Sequence, residues 1–322
     1  MEASIGLDLG GTSIKYALVN REGKVLYQGT RPSLADISAE AVIQQLLKCI
    51  SDVREFSGSR KETTLKGVGI GTPGIIDETN RIVLGGAENI QGWENIHLAQ
   101  RVESETKLAT TLANDANAMG LGETMFGAGR NYRNIVFVTV GTGIGGAVII
   151  DGKLFNGYAN RGTELGHVPF IANGIDCACG SVGCLEAYAS TAALVRTFIA
   201  EQASREMGTT GDVKTAQEEV TGRYIVEQYK KGDPLAVKCL NQHCDYLGHG
   251  IAGFINVFSP QRVVIGGGLP EAGDFYIEMV KKAAFHYAMS DCAKNTEIVP
   301  AQLGNMAGTI GAASLTFTLY GN

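Results

Sequence analysis

The sequence predicts an α/β protein built from two similar lobes. Short apolar segments that end in glycine turns alternate with segments of helical periodicity, which is the pattern of a sheet flanked by helices. One strand–turn–strand–turn–strand pattern occurs twice, in residues 5–29 and again in residues 135–155. The chain has 322 residues, enough for two domains at about 150 residues each.

Each predicted element follows from its local pattern. In the first half, strands are predicted at 5–9, 14–19 and 25–27, a strand ending in a loop at 68–74, a strand end at 109–113, and helices at 39–56 and 96–106. In the second half, strands are predicted at 135–140, 147–150 and 262–265, and helices at 191–206, 222–231, 233–257 and 306–319. We expect an N-terminal lobe of residues 1–119, on which the C-terminal helix of 306–322 packs, and a larger lobe of residues 120–305.

Composition excludes several classes of protein. The net charge of −6 and the absence of a Lys/Arg run disfavour a nucleic-acid partner. We expect a cytoplasmic protein without a membrane partner, because there is no signal-peptide pattern and no run of about 20 apolar residues. In that reducing compartment, the seven cysteines are interpreted as metal ligands or buried thiols rather than disulfides.

Three glycine-rich turns follow apolar strands and are candidates for phosphate binding, because glycine lets backbone N–H groups approach an anion. They are Gly10-Gly11-Thr12, Gly141-Thr142-Gly143 and Gly266-Gly267-Gly268. Each turn alone could be a plain hairpin. Residues 141–146 satisfy G-x-G-x-x-G, but the segment that follows is predicted as a strand, which excludes a dinucleotide-binding motif.

Asp8 precedes the first of these turns. A carboxylate beside a phosphate loop can help to place Mg²⁺, directly or through water. The alternative is an aspartate that only caps its own turn.

His167, Cys177, Cys179 and Cys184 follow the spacing H-x9-C-x-C-x4-C. Three thiolates and one imidazole form the closed tetrahedral shell of a structural zinc site. The alternative is a set of buried thiols.

Two acidic residues, Glu164 and Glu186, flank these candidate zinc ligands. A loop held by a metal would fix their carboxylates well enough to bind sugar hydroxyls. The alternative for each is a solvated loop glutamate.

Asn114 and Asp115 lie where a predicted strand opens into a helix. Either residue could be a helix cap. In phosphoryl transfer, however, a carboxylate accepts the proton of the attacking hydroxyl, and Asp115 is the candidate for that role.

These motifs together resemble the ROK sugar kinases, a branch of the actin/hexokinase-like ATPases that includes bacterial glucokinases and N-acetylhexosamine kinases. The resemblance covers nearly the whole chain and rests on Leu7–Thr12, Asn114–Asn117, Gly141–Gly146, Glu164–His167, Cys177–Glu186 and Gly266–Gly268. It implies a two-lobed ribonuclease H-like fold with a cleft, and an ATP-dependent hexose kinase, glucokinase above all, acting on the 6-hydroxyl. An N-acetylmannosamine or N-acetylglucosamine kinase is the alternative.

The resemblance also implies roles for individual residues. Asp115 would be the catalytic base, and His167 would bind both the sugar and zinc. The implied sugar-binding residues are Asn89, Asn114, Asp115, Glu164, His167 and Glu186. The implied nucleotide-binding residues are Asp8, Gly10, Gly11, Thr12, Thr142, Gly143, Gly266, Gly267 and Gly268. ATP, Mg²⁺ and structural Zn²⁺ are the expected cofactors, and a homodimer is the expected assembly.

Two other classes are disfavoured. A ROK-type sugar-responsive transcriptional regulator would carry a DNA-binding segment ahead of the first phosphate turn, which here begins near residue 8. A non-catalytic sugar-binding or filament-forming relative would not need Asp115, the phosphate turns and the sugar acids together.

Overall fold

The computed structural model describes residues 1–59, 63–87, 90–206 and 220–319. The strands of this part of the chain are β1 (Glu2–Leu9), β2 (Ser13–Asn20), β3 (Val25–Pro32), β4 (Thr64–Thr72), β5 (Ile75–Asp77), β6 (Ile82–Gly85), β7 (Thr110–Asn114), β8 (Ile135–Val140), β9 (Ile144–Ile150), β10 (Lys153–Phe155), β11 (Arg262–Gly266) and β12 (Glu297–Pro300). Its α-helices are α1 (Ala39–Gly58), α2 (Leu98–Thr106), α3 (Asp115–Phe126), α4 (Glu186–Ala189), α5 (Thr191–Glu206), α6 (Gly222–Lys230), α7 (Pro234–Phe258), α8 (Asp274–Tyr287), α9 (Ser290–Ala293) and α10 (Ala307–Leu319).

The two five-stranded sheets have equivalent strand orders, with β8, β9, β10, β11 and β12 in the places of β1, β2, β3, β4 and β7. The first runs β3-β2-β1-β4-β7 and the second runs β10-β9-β8-β11-β12. In the first sheet, the β1–β2 and β2–β3 pairs are antiparallel, whereas β4 pairs in parallel with both β1 and β7. In the second, β9–β10 is antiparallel, and β11 pairs in parallel with β8 and β12. The pattern repeated in the sequence therefore corresponds to equivalent strands of two sheets.

The chain divides into two compact units. The first unit comprises residues 1–133, 147–163 and 302–322, and the second comprises residues 134–146 and 164–301. The boundary at residue 119 expected from the sequence stays a prediction.

The first unit is built around β1, whose residues from Ala3 to Leu9 are all buried. A strand that pairs on both sides and is covered on both faces reads as a continuous apolar run. Helix α10 contacts β1 and β4 so closely that a Cβ on Gly69 would lie 1.7 Å from the Ala312 carbonyl oxygen. A side chain at residue 69 would therefore displace the helix from the sheet.

Sequence patterns located most of the longer elements of the described chain, but they predicted none of β5, β6, α4, α8, α9 and β12. Helix α8 and strand β12 lie in residues 269–305, for which no element was predicted. Strand β12 has four residues and ends in a proline, so its alternation is too short to stand out. No described helix is long and apolar enough to cross a membrane.

Candidate active site

In the first unit, the junction between β7 and α3 is held by Asn114, the N-cap of the helix. Its side-chain Oδ1 accepts hydrogen bonds from the backbone N–H groups of Ala116 at 3.0 Å and Asn117 at 3.3 Å. Its Nδ2 donates to the Gly74 carbonyl at 3.1 Å. Asn114 thus satisfies two N–H groups at the start of α3 and ties the helix to the loop after β4.

Asp115 is the first residue of α3, and its Oδ1 accepts from the Ala116 N–H at 2.9 Å. Burial raises the pKa of the Asp115 carboxyl, and hydrogen bonds from the helix start and from Asn114 act in the opposite direction. A carboxylate with a raised pKa is a better proton acceptor than one with the ordinary value of about 3.9.

Asp8, at the end of β1, is only 8% exposed. Burial, and then the charge of Asp115, raise the pKa of Asp8 to about 6, while Lys15 opposes the shift. Asp8 is buried and Asp115 is half-buried, and their charges repel each other. Such a pair fits a site that a divalent cation completes, since a cation would stabilise the charged form of both.

The turn after β1 is held by the residues around it. The Gly10 N–H donates to the Ser13 carbonyl at 2.9 Å, and Ser33 donates from its backbone N–H to Thr12 O and from its hydroxyl to Gly11 O. Gly11 and Thr12 are themselves exposed. The turn is therefore fixed in place with an accessible backbone.

In the second unit, the other two glycine turns meet. Gly267 has φ +103°, and a Cβ at this residue would lie 2.2 Å from the Val140 carbonyl oxygen, just before the Gly141 turn. Both turns border a pocket of about 560 Å³. Its lining includes Gly141, Thr142, Thr191, Gly268 and Leu269, together with the α6 residues Arg223, Val226, Glu227 and Lys230. Two of the three predicted glycine turns thus form part of one concave surface.

The four predicted zinc ligands come together. One ligand atom from each of His167, Cys177, Cys179 and Cys184 lies within 4.8 Å of all the others. His167 Nδ1 and Cys177 Sγ are 3.6 Å apart, and Cys179 Sγ and Cys184 Sγ are 3.7 Å apart. Two thiolates on a tetrahedral zinc with Zn–S bonds of about 2.3 Å lie about 3.8 Å apart, so these residues fit the ion.

Glu186 connects this cluster to the glycine turn of residues 141–143. Its Oε2 accepts from the Ile144 backbone N–H at 2.8 Å, and the Cys177 thiol lies 3.9 Å from its Oε1. Glu164 is exposed and precedes the short 3₁₀ turn Leu165–His167, whose His167 N–H bonds to the Glu164 carbonyl at 3.0 Å. Glu186 is therefore held beside the cluster by the Ile144 N–H, and Glu164 is placed by the backbone of the turn that carries His167.

Asn89 lies outside the described residues. Three residues that sequence reasoning missed, Glu78, Asn117 and Asn156, form a hydrogen-bonded chain in the first unit. Asn117 was visible as part of the segment Asn114–Asn117, but no local signal links it to residues 39 positions away.

A model of the ROK family matches residues 4–318. The chain belongs to the ROK family. This ROK protein is 36% identical to the glucokinase of Thermotoga maritima, over 97% of this chain and 96% of that protein. It is also 27% identical to the xylose repressor of Bacillus subtilis, over 97% of this chain and 76% of the repressor.

Among solved structures, this ROK chain is similar to a ROK family glucokinase from Streptomyces griseus in complex with glucose and AMPPNP. The TM-score is 0.82 and the sequences are 30% identical, over 98% of this chain and 99% of that one. The mixed α/β fold with two sheets is therefore the fold of a solved ROK sugar kinase. The wider grouping with actin-like and hexokinase-like ATPases stays a prediction.

Proposed function

We propose that this ROK protein transfers the γ-phosphoryl group of ATP to a hexose, glucose being the best-supported acceptor and its 6-hydroxyl the attacking group. The observation that carries the proposal is Asp115, a half-buried carboxylate of raised pKa at the start of α3, directly after the end of β7. The similarity to glucokinases, one of them solved with glucose and AMPPNP, supports the choice of reaction and acceptor.

In this reaction the sugar oxygen forms a bond to the γ-phosphorus, and the bond from that phosphorus to the bridging β–γ oxygen breaks, which releases ADP. Asp115 takes the proton of the attacking hydroxyl. Asn114, as the N-cap, holds the helix start that carries Asp115. Asn89, Asn114, Glu164, His167 and Glu186 would bind sugar hydroxyls.

Nucleotide-binding roles are proposed for the glycine turns and for Asp8. In the second unit, the pocket beside Thr142 and Gly268 is large enough for a nucleoside. Gly143, Gly266 and Gly267 complete its turns. In the first unit, Gly10, Gly11 and Thr12 would approach the phosphates, and Asp8 would help to hold Mg²⁺, which offsets phosphate charge.

Zinc would be structural in this proposal. The closed set of His167, Cys177, Cys179 and Cys184 leaves no position for a reacting water. Its role would be to fix the loop that carries Glu186 and Glu164. A homodimer is proposed as the assembly.

The experiment is a coupled assay of ADP release, with Mg²⁺·ATP and a panel of glucose, mannose, N-acetylglucosamine, N-acetylmannosamine and allose. Turnover of glucose supports the glucokinase assignment, and a preference for an acetylated sugar favours the N-acetylhexosamine kinase. The second candidate class is a sugar-responsive regulator, favoured by the similarity to the xylose repressor. Sugar binding without turnover of any hexose would contradict the kinase and favour that class.

A further inference from the structure

Lys15, on β2, is a cation beside the first glycine turn that the proposed reaction does not use. In the antiparallel pair of β1 and β2, Lys15 is directly opposite Asp8. Directly opposite residues of an antiparallel pair extend their side chains to the same face of the sheet. Lys15 and Asp8 therefore form a cross-strand pair at the strand ends that the turn of residues 10–12 connects.

The neighbours of Lys15 on β2 show which face of the sheet carries this pair. Ile14 and Tyr16 are buried in the core that covers one face. Because side chains alternate along a strand, Lys15 lies on the other face, together with Ala17 and Val19. Ala17 and Val19 pack against residues of α10. The apolar contact with α10 thus ends at Ala17, and the next side chain on this face is the lysine.

The start of α10 borders the same pair. A Cβ on Gly308 would lie 2.7 Å from Asp8 Cγ. Lys15 Nζ donates to Asn305 Oδ1 at 3.5 Å, which is longer than the usual range of about 2.7–3.2 Å. This is the only side-chain hydrogen bond of Lys15 among the described residues. An ammonium has three N–H donors, so Lys15 retains donors for a ligand.

The glycine turn is within reach of this ammonium. Gly10 and Ser13 continue the two strands on the face of Asp8 and Lys15, and Gly11 and Thr12 are exposed. Two residues of an antiparallel strand span about 6.8 Å. The four-carbon stem of a lysine can bridge such a distance. A phosphate bound by the N–H groups of the turn would therefore lie beside a positive charge.

Asp8 connects Lys15 with the reacting end of the donor. Burial has the largest effect on the pKa of Asp8, and the charge of Asp115 raises this pKa while that of Lys15 lowers it. Charges act in this way on neighbours a few ångströms away, so the three side chains share one neighbourhood. Asp115 is the proposed base for the hydroxyl that attacks the γ-phosphorus. The phosphate closest to Lys15 is therefore the one that is transferred.

We propose that Lys15 is a catalytic residue that binds the γ-phosphate of the donor. The inference rests on the proposed function and adds to it a residue that contacts the transferred group. Phosphoryl transfer depends on positioning and on fixed charges that stabilise the charge of the phosphoryl oxygens. Lysine binds phosphate as a point charge. The alternative is that Lys15 only offsets the charge of Asp8.

The test is calorimetric titration of ADP and of AMPPNP, each with Mg²⁺, into the wild-type protein and the Lys15→Met variant. Only AMPPNP carries a γ-phosphate. We expect Lys15→Met to weaken AMPPNP binding by a factor of about 10 or more, the effect of one hydrogen bond between charged groups, and to leave ADP binding unchanged. With ATP and glucose, kcat should fall by at least the same factor.

Three further variants separate the charge of Lys15 from a general effect on structure. Lys15→Arg retains the charge and should keep most of the affinity for AMPPNP. Lys15→Gln loses the charge and retains a hydrogen-bond donor, and it should repeat the loss if Lys15→Met lowers the melting temperature. Lys24→Met is the matched control, because Lys24 is exposed beyond the opposite end of β2. It should leave both nucleotide affinities unchanged.

Equal weakening of ADP and AMPPNP by Lys15→Met and Lys15→Gln, or no weakening of either nucleotide, would overturn the inference and leave Lys15 as a partner of Asp8. The proposed function fails in a different way, if the wild-type protein phosphorylates no hexose. Turnover by the wild-type protein and the nucleotide affinities of the variants therefore distinguish the two failures.

Discussion

At the residue scale, Asp115 and Asp8 show how burial changes the chemistry of an ordinary side chain. Both carboxyls have a raised pKa, and for both the largest cause is burial. The charge of Asp115 adds to the effect at Asp8. Asp115 can therefore take up a proton more readily than an exposed aspartate, and binding of a cation beside Asp8 would reduce the repulsion.

Asp115→Asn should abolish turnover and spare binding. Because an amide cannot accept the proton of the attacking hydroxyl, we expect kcat to fall by a factor of about 10² or more. Glucose binding can be measured by calorimetric titration. The exposed Asp36 offers a control in Asp36→Asn, and near wild-type turnover in Asp115→Asn would show that another group is the base.

His243 lies in α7, is 2% exposed, and is 2.8 Å from the Tyr276 hydroxyl through its Nε2. Burial lowers the pKa of His243 to about 4. In the unfolded chain its pKa is about 6.5, so unfolding takes up a proton between these values. The contribution of His243 to stability is therefore complete above about pH 6.5 and is lost as the pH falls toward 4.

His243→Gln should remove this acid sensitivity and retain a partner for the Tyr276 hydroxyl. Between pH 6.5 and 4, the free energy of unfolding of the wild-type protein should fall by on the order of 3 kcal/mol more than that of the variant. Urea unfolding at each pH measures this difference. Asp8 acts in the opposite direction, because its raised pKa makes folding take up a proton as the pH falls through about 6. His97→Gln, at an exposed histidine, is the control; an equal pH dependence in wild type and His243→Gln would contradict the assignment.

At the element scale, the loop that carries the candidate zinc ligands has little regular structure of its own. Between β10 and α5, the described elements are two 3₁₀ turns and the four-residue helix α4. Isolated bridges join Pro169 to Cys184 and Asp176 to Val182. The segment is held by turns and isolated bridges rather than by long helices or strands, and a bound ion would supply much of its stability.

Cys179→Ser should therefore lower both the bound zinc and the free energy of unfolding. Removal of one of four ligands from a closed site weakens the binding of the zinc ion. Because the site forms only in the folded chain, weaker zinc binding also lowers the stability of the fold. Metal content by mass spectrometry and the melting temperature would measure the two effects. Cys292→Ser, at a half-buried cysteine outside the cluster, is the control, and unchanged zinc in Cys179→Ser would remove Cys179 from the ligand set.

At the scale of the whole molecule, the two sheets have equivalent strand orders, and each sheet carries glycine turns at the ends of its strands. In the first sheet the turn follows β1, and in the second sheet turns follow β8 and β11. The duplicated architecture thus places at least one glycine turn at a strand end in each unit, as the proposed phosphate binding requires. This arrangement suits a donor whose phosphates need several N–H groups.

Ligands of the proposed reaction should stabilise the folded chain by mass action. Glucose should raise the melting temperature, and so should AMPPNP with Mg²⁺. At a ligand concentration of 100 times Kd, the free energy of unfolding should increase by about 2.7 kcal/mol. Sorbitol is the control for nonspecific effects of a polyol. The Asp115→Asn variant should keep both shifts, and the absence of any shift with glucose in the wild-type protein would contradict glucose as the acceptor.

The features that the sequence predicted well are those encoded within short segments. The apolar runs of β1 and β8, the glycine turns that follow them and the spacing of Cys177, Cys179 and Cys184 are local patterns. Residue 89 lies outside the described part of the chain, and its predicted contact stays a prediction.

The features that only the tertiary structure decided depend on segments far apart in the chain. The sequence by itself determined the α/β class and the position of Asp115 at a strand-to-helix junction, because both are local patterns. The structure decided that Asp115 is half-buried with a raised pKa, and that Glu186 bonds to the Ile144 N–H. It also joined Asn117 to Asn156, since burial and hydrogen bonding between distant residues arise only when the elements pack.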